Sequence, residues 1–121
     1  MAYVIIRQGE HMKTGDQEPD LVLQLYKENN NPEDLSSVNV VSLHMTEENY
    51  DGLIVDEDSS GTDAPVSYDE QNGKVTYEWQ ASDTNGPGTY VGEVEVEFSS
   101  GETKTFPSSG TFNVYVEEAL N

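Results

Sequence analysis

The chain has 121 residues, enough for one domain with one modest core. Its 24 Asp and Glu against 5 Lys and Arg give a formal net charge of -19, which disfavours nucleic acid or an anionic membrane as a charge-driven partner. Cysteine is absent, so disulfides and thiolate metal sites are excluded. No run approaches the roughly 18 apolar residues of a membrane span.

In chain order, Tyr3 to Ile6 reads as a short strand ending near Gly9, and the opening MAYVIIRQGE lacks the basic and apolar regions of a cleaved signal peptide. His11 to Pro19 is polar and turn-rich. Leu21, Leu23 and Leu25 then alternate with Val22, Gln24 and Tyr26, the two-residue period of a strand. Asn29 to Pro32 is a loop, because Pro32 bars a helix interior or a central strand. Glu33 to Ser37 suits one helical turn, and Val41, Leu43 and Met45 alternate with Val40, Ser42 and His44 as the next strand. Thr46 to Asp51 is a loop or brief helix, Leu53 to Val55 a short strand, Asp56 to Ala64 a polar loop and Pro65 to Tyr68 another strand.

The second half is the more regular. Asn72-Gly73 is a tight-turn signal before Val75, Tyr77 and Trp79, which alternate with Lys74, Thr76 and Glu78. After Ser82 to Pro87, Tyr90, Gly92, Val94, Val96 and Phe98 share one face while Glu93, Glu95 and Glu97 share the other. Ser99 to Gly101 turns the chain into Thr103 to Phe106. Pro107 to Gly110 turns it again into Phe112, Val114 and Val116. The short connections imply antiparallel neighbours, since parallel strands need crossovers of a dozen residues or more. About eight short strands with no long helix predict an all-β antiparallel sandwich spanning 1–121 as a single domain. Trp79 is expected in its core, and Tyr90 is placed to pin a strand corner through its hydroxyl.

Several residues are candidates for chemistry or contact. Asp56, Asp58, Ser60 and Asp63 offer oxygen ligands around Gly61, as Ca²⁺ requires. An EF-hand loop starting at Asp56 would need Glu at its twelfth position, where Ser67 stands, so the run also reads as a solvated acidic loop with no resident cofactor. His11 and His44 are the only histidines, and His44 falls on an outward strand face. The pairs Glu47-Glu48 and Glu117-Glu118 read as solvated charge, without a cleft to make them an acid/base pair. No GxGxxG, GxxxxGK[ST] or HExxH pattern occurs, and a non-enzymatic protein is expected. Tyr26, Tyr50 and Tyr115, with His44, are the candidate interface residues.

The order of Lys13-Thr14-Gly15-Asp16, Leu21 to Leu25, Glu33-Asp34-Leu35-Ser36, Asn72 to Trp79, Gly88-Thr89-Tyr90 and Thr105-Phe106-Pro107-Ser108 resembles the N-terminal domain of tailed-phage baseplate upper proteins, over roughly Tyr3 to Glu117. The resemblance implies an immunoglobulin-like sandwich located in the virion, with other virion proteins or copies of itself as partners. Longer members of that family continue into a receptor-binding or spacer region that is not present by Asn121. A tail, head-to-tail or capsid-surface component is therefore the expected role. A secreted or cell-surface immunoglobulin-like adhesion or carbohydrate-binding module is the alternative.

Low hydrophobicity with high net charge is also the signature of disorder, but Glu93, Glu95 and Glu97 keep a strand register that a disordered tail would not. High salt is the other physical account of the acidity. At about 1 M salt the Debye length falls to about 3 Å, and the mutual repulsion of these carboxylates is screened. Many carboxylates with few lysines resemble the proteins of extreme halophiles, which points to a virus of a halophilic archaeon. Thermal stability is accordingly expected to rise steeply with added KCl. Full stability without salt, measured in the same titration, would remove the halophilic assignment.

Overall fold

The computed structural model describes residues 1–48 and 52–120. Among these the chain forms ten strands and no helix. They are β1 (Tyr3–Gln8), β2 (His11–Lys13), β3 (Leu21–Tyr26), β4 (Val38–Glu47), β5 (Val55–Asp58), β6 (Val66–Asp69), β7 (Lys74–Tyr77), β8 (Gly88–Phe98), β9 (Thr103–Phe106) and β10 (Phe112–Glu117). A four-stranded sheet runs β1-β3-β7-β6, and a six-stranded sheet runs β2-β10-β8-β4-β5 with β9 also paired to β8. Only β2 on β10 is parallel.

The alternation seen in the sequence decides which side of each sheet is dry. Leu21, Leu23 and Leu25 of β3, Val75 and Tyr77 of β7, Val41, Leu43 and Met45 of β4, and Val94 and Val96 of β8 are all buried between the sheets. Trp79 joins them just past the end of β7, its ring edge-on to Tyr77 with centroids 5.4 Å apart. Burial, reinforced by the Asp83 carboxylate that accepts from the Tyr77 hydroxyl at 2.5 Å, pushes the Tyr77 phenol far above its ordinary pKa.

The chain changes sheets early. β1 pairs antiparallel with β3, and after Gly9 the chain crosses to lie as β2 against β10. Gly9 adopts φ 86, and a Cβ there would come within 2.9 Å of the Asp20 carbonyl oxygen and Leu21 Cα, so a side chain is barred twice over. A first strand split between two sheets, strand order ABED in one sheet, and GFC with one added C′ strand in the other make this an immunoglobulin-like β-sandwich.

Tyr90 behaves as its position in the sequence predicts. It is buried at the start of the F-type strand β8, and its hydroxyl donates to the Gly86 carbonyl at 2.6 Å, forming a tyrosine corner. Two residues on, where disulfide-bearing immunoglobulin domains place a cysteine, stands Gly92. Gly92 pairs with Phe112 on one side and Met45 on the other. A Cβ on it would lie 2.6 Å from Phe112 Cζ and 2.8 Å from Met45 Cγ. The room that a disulfide would take is filled by an aromatic ring and a thioether.

Four expectations need correction. His11–Lys13 is a strand, because Met12 plugs into the core while its backbone pairs with β10. The strand expected at Leu53 begins instead at Val55 and takes in Asp56 to Asp58; Leu53 is 54% exposed. Glu33 to Ser37 forms no helical turn; Asp34 Oδ1 accepts from the Ser36 N–H, closing an Asx turn. Of the three short connections, only that between β8 and β9 joins paired strands, since β7 and β8 lie in different sheets and β9 and β10 both pair with β8.

Tyr90→Phe is expected to cost about 1 kcal/mol, the net worth of one hydrogen bond, and Gly92→Val about 1–3 kcal/mol through overpacking against Phe112 and Met45. Denaturant midpoints in high salt measure both, and the reverse order of cost would overturn this packing account.

Candidate functional site

The two outer faces of the sandwich differ sharply in charge. On the six-stranded sheet, strand parity sends Glu93, Glu95 and Glu97 of β8 and Asp56 and Asp58 of β5 outward. The register sets His44 between Asp56 and Glu93, and Ser42 between Asp58 and Glu95. His44 Nε2 lies 3.3 Å from Asp56 Oδ1, with the imidazole 30% exposed. Farther along the sheet, His11 stacks on Tyr115 with centroids 5.4 Å apart, and Lys13 Nζ reaches Glu117 Oε2 at 3.1 Å. Asn39 donates to Glu97 Oε1 at 2.8 Å.

The outer face of the four-stranded sheet is built differently. Tyr3 of β1 lies opposite Tyr26 of β3, and their rings stack at 4.9 Å with planes 13° apart. Arg7 Nη2 donates to the Tyr26 hydroxyl at 2.5 Å, and the guanidinium carbon sits 6.0 Å from that ring's centroid. Ile5 and Val22 add aliphatic surface beside them, and Thr76 and Ser67 continue the face across β7 and β6. Lys74 and Asp69 lie opposite each other on it, and Glu78 follows at its margin. Hydrogen bonds from Asn72 and from the Gln71 N–H hold the Asp69 carboxyl below the usual carboxylate range. Of the chain's 24 Asp and Glu this face carries Asp69 within its strands and Glu78 just past β7, and with Arg7 and Lys74 its charges balance.

At one end of the sandwich an open depression of about 520 Å³ is lined by Glu33, Ser37, Phe98 and Lys104 among others. The Glu33 side chain is 8% exposed, and its Oε2 lies 3.5 Å from Lys104 Nζ. A buried carboxylate matched by a lysine ties the loop before β4 to β9. The depression presents a neutralised ion pair at its wall.

The residues singled out in the sequence fall in three places. His44 and Tyr115 are on the acidic outer face, as their strand parity requires, with Tyr115 38% exposed. Tyr26 is on the opposite face, half covered by Tyr3 and Arg7. Tyr50 lies outside the described residues. Asp56 and Asp58 point from β5, while Asp58 Oδ1 accepts from the Ser60 N–H at 2.8 Å. Among the described residues no three of His, Cys, Asp and Glu come together as a metal-binding group, so Asp56, Asp58 and Asp63 do not converge. Sequence reasoning passed over Tyr3, Ile5 and Arg7, although Met1 to Gly9 is free of acids.

No protein-family model matches the chain, and no curated protein does. Solved structures match by shape. CopC from Methylosinus trichosporium OB3b shares 13% identity at a TM-score of 0.52, covering 100% of this chain and 98% of that one. Murine CRIg shares 13% at a TM-score of 0.44, covering 98% and 99%. Domains 3–5 of the Drosophila OTK extracellular region share 18% at a TM-score of 0.36, and the match spans 95% of this chain and 34% of that one. The likeness to CopC is one of fold, and strand order carries the immunoglobulin-like assignment.

Titration of Ca²⁺ into the protein in about 2 M KCl, where diffuse ion attraction is screened, is expected to give no saturable heat. A saturable heat that disappears in Asp58→Asn would reinstate the Asp56–Asp63 run as a site.

Proposed function

We propose that the chain is a non-enzymatic structural component of a tailed-virus particle, holding its neighbours by surface complementarity. The observation that carries this reading is the division of charge between the two outer faces. A protein adapted only to brine gains from carboxylates on every side, because each one keeps water and counter-ions at the surface. Here the face built on Tyr3, Ile5, Val22 and Tyr26 is nearly free of them. Neighbours in such a particle are themselves acidic, and this is the face that meets them with least repulsion.

The tailed-virus part of the reading is supported by the ordered sequence signals from Lys13 to Ser108, and the acidity supports a halophilic host. Packing supports it as well. Tyrosine and arginine are favoured anchors at interfaces because they combine large apolar area with a polar tip. Tyr3, Tyr26 and Arg7 are already held together by stacking and a hydrogen bond, so little side-chain freedom is left to lose on docking.

Mass spectrometry of purified virions is expected to find the protein at structural copy number. Thr76→Glu, which places a carboxylate at the centre of the docking face, is expected to lower incorporation at least about tenfold while leaving the thermal midpoint of the free protein unchanged. Absence of the wild-type protein from the particles would sink the virion reading.

A further inference from the structure

The free edge of β1 carries an inference that stands apart from the virion reading. Leu25 donates its N–H to the Gly73 carbonyl, on the β7 side of β3. Val4 lies opposite Leu25, so the two form a non-hydrogen-bonded pair, and Val4 turns its own N–H and C=O away from β3. By the two-residue period Ile6 does the same. Ala2 also presents its carbonyl at this edge, where the Ser108 N–H donates to it at 3.1 Å. Val4 and Ile6 have no such partner among the described residues.

The other sheet edges are guarded. β5 bears Asp56, Glu57 and Asp58, β2 is three residues long, β9 has four and runs into Pro107, and β6 ends in Asp69. Acidic, short and proline-bounded strands are the usual means of stopping edge-to-edge pairing. β1 has six residues, no acid and no proline, and its register shift falls between Ile6 and Gln8, past the backbone groups of Val4 and Ile6. Such an edge in a chain of net charge -19 is one at which two copies can approach.

We propose that β1 pairs antiparallel with β1 of a second copy, about a twofold axis through Ile5. Val4 then lies opposite Ile6 of the partner subunit and Ile6 opposite Val4 of the partner subunit, and each such pair exchanges both of its N–H···O bonds. Ile5, 39% exposed, meets its own copy across the axis. Arg7, just past the paired stretch, falls at the end where Tyr3 of the partner subunit stands, a cation near an aromatic ring. The two Arg7 residues sit at opposite ends of the pairing, so the strand's one charge does not oppose itself. Ser108 closes the edge at Ala2 and the register shift after Ile6 ends the regular strand, which limits the backbone pairing to Val4 through Ile6. The strand is self-complementary about that axis, as an isologous contact requires, and this selects a second copy over an unrelated strand.

Sedimentation tests the pairing. At on the order of 100 μM in about 2 M KCl the wild-type chain is expected to run as a dimer and Ile5→Lys as a monomer with an unchanged β-sheet spectrum. Ile5→Cys, the only cysteine in the chain, is expected to form an interchain disulfide on mild oxidation, because facing Cα atoms of about 4.5 Å separation lie within disulfide range. Ser67→Cys on β6, the far edge of the same sheet, is expected not to cross-link. The cysteine pair decides the matter even if Ile5→Lys does not fold. A wild-type monomer under these conditions, or Ser67→Cys cross-linking as readily as Ile5→Cys, would overturn the proposal. Particles that lack the protein would leave this dimer standing.

Discussion

The parity of β8 is the constraint on which the rest of the molecule depends. Tyr90, Gly92, Val94 and Val96 point into the sandwich while Glu93 and Glu95 point out, and the strand is paired along its length by β4 on one side and by β10 then β9 on the other. A slip of one residue would drive Glu93 and Glu95 into the core, at several kcal/mol for each buried ion. The charge that looks like a burden on folding therefore works as a register mark. It admits one pairing of the central strand, and the positions of β4, β9 and β10 follow from it.

Gly92 shows how closely the core is built around that register. In sandwiches held by a disulfide, the covalent link tolerates imperfect packing around it. Here the link is absent, and cohesion at the same place comes from Phe112 and Met45 closing over a glycine from both sides. The Tyr90 hydroxyl fixes the entry to the strand at Gly86, and the buried Thr84 donates to the Asp16 carbonyl at 2.8 Å, joining the two loops beside it. These contacts are short-ranged and uncharged, so they survive the changes of salt that alter every interaction on the surface.

The parts of the fold legible in the sequence are those whose cause is local. Alternation in Leu21–Leu25, Val41–Met45, Tyr90–Phe98 and Phe112–Val116 reflects a dry face and a wet face along one strand, and all four are strands. β2 and β5 escaped because their cause is distant. His11–Lys13 has one apolar residue and is a strand only because β10 lies beside it, while Val55–Asp58 has one buried apolar residue and owes its form to pairing with Ser42 to Met45. The assignment of β7 and β8 to separate sheets was hidden for the same reason, as a ten-residue connection suits a crossing between sheets as well as a hairpin. Outward tyrosines could be read from parity. The near-neutral face could not, because it exists only once β1, β3, β7 and β6 are known to be neighbours.

That face and the edge beside it follow from how the carboxylates are spent. With repulsion on most of the surface, contact is confined to the places that acids avoid, and such places need little apolar area to be distinctive. Tyr3, Ile5, Val22 and Tyr26 would be an ordinary patch on a neutral protein. Against Asp56, Asp58, Glu93, Glu95 and Glu97 on the opposite side they are a directional one. Screening by salt then sets the strength of association without changing its geometry. It weakens the repulsion between whole molecules but leaves the backbone groups at Val4 and Ile6 and the rings of Tyr3 and Tyr26 where the strand register put them.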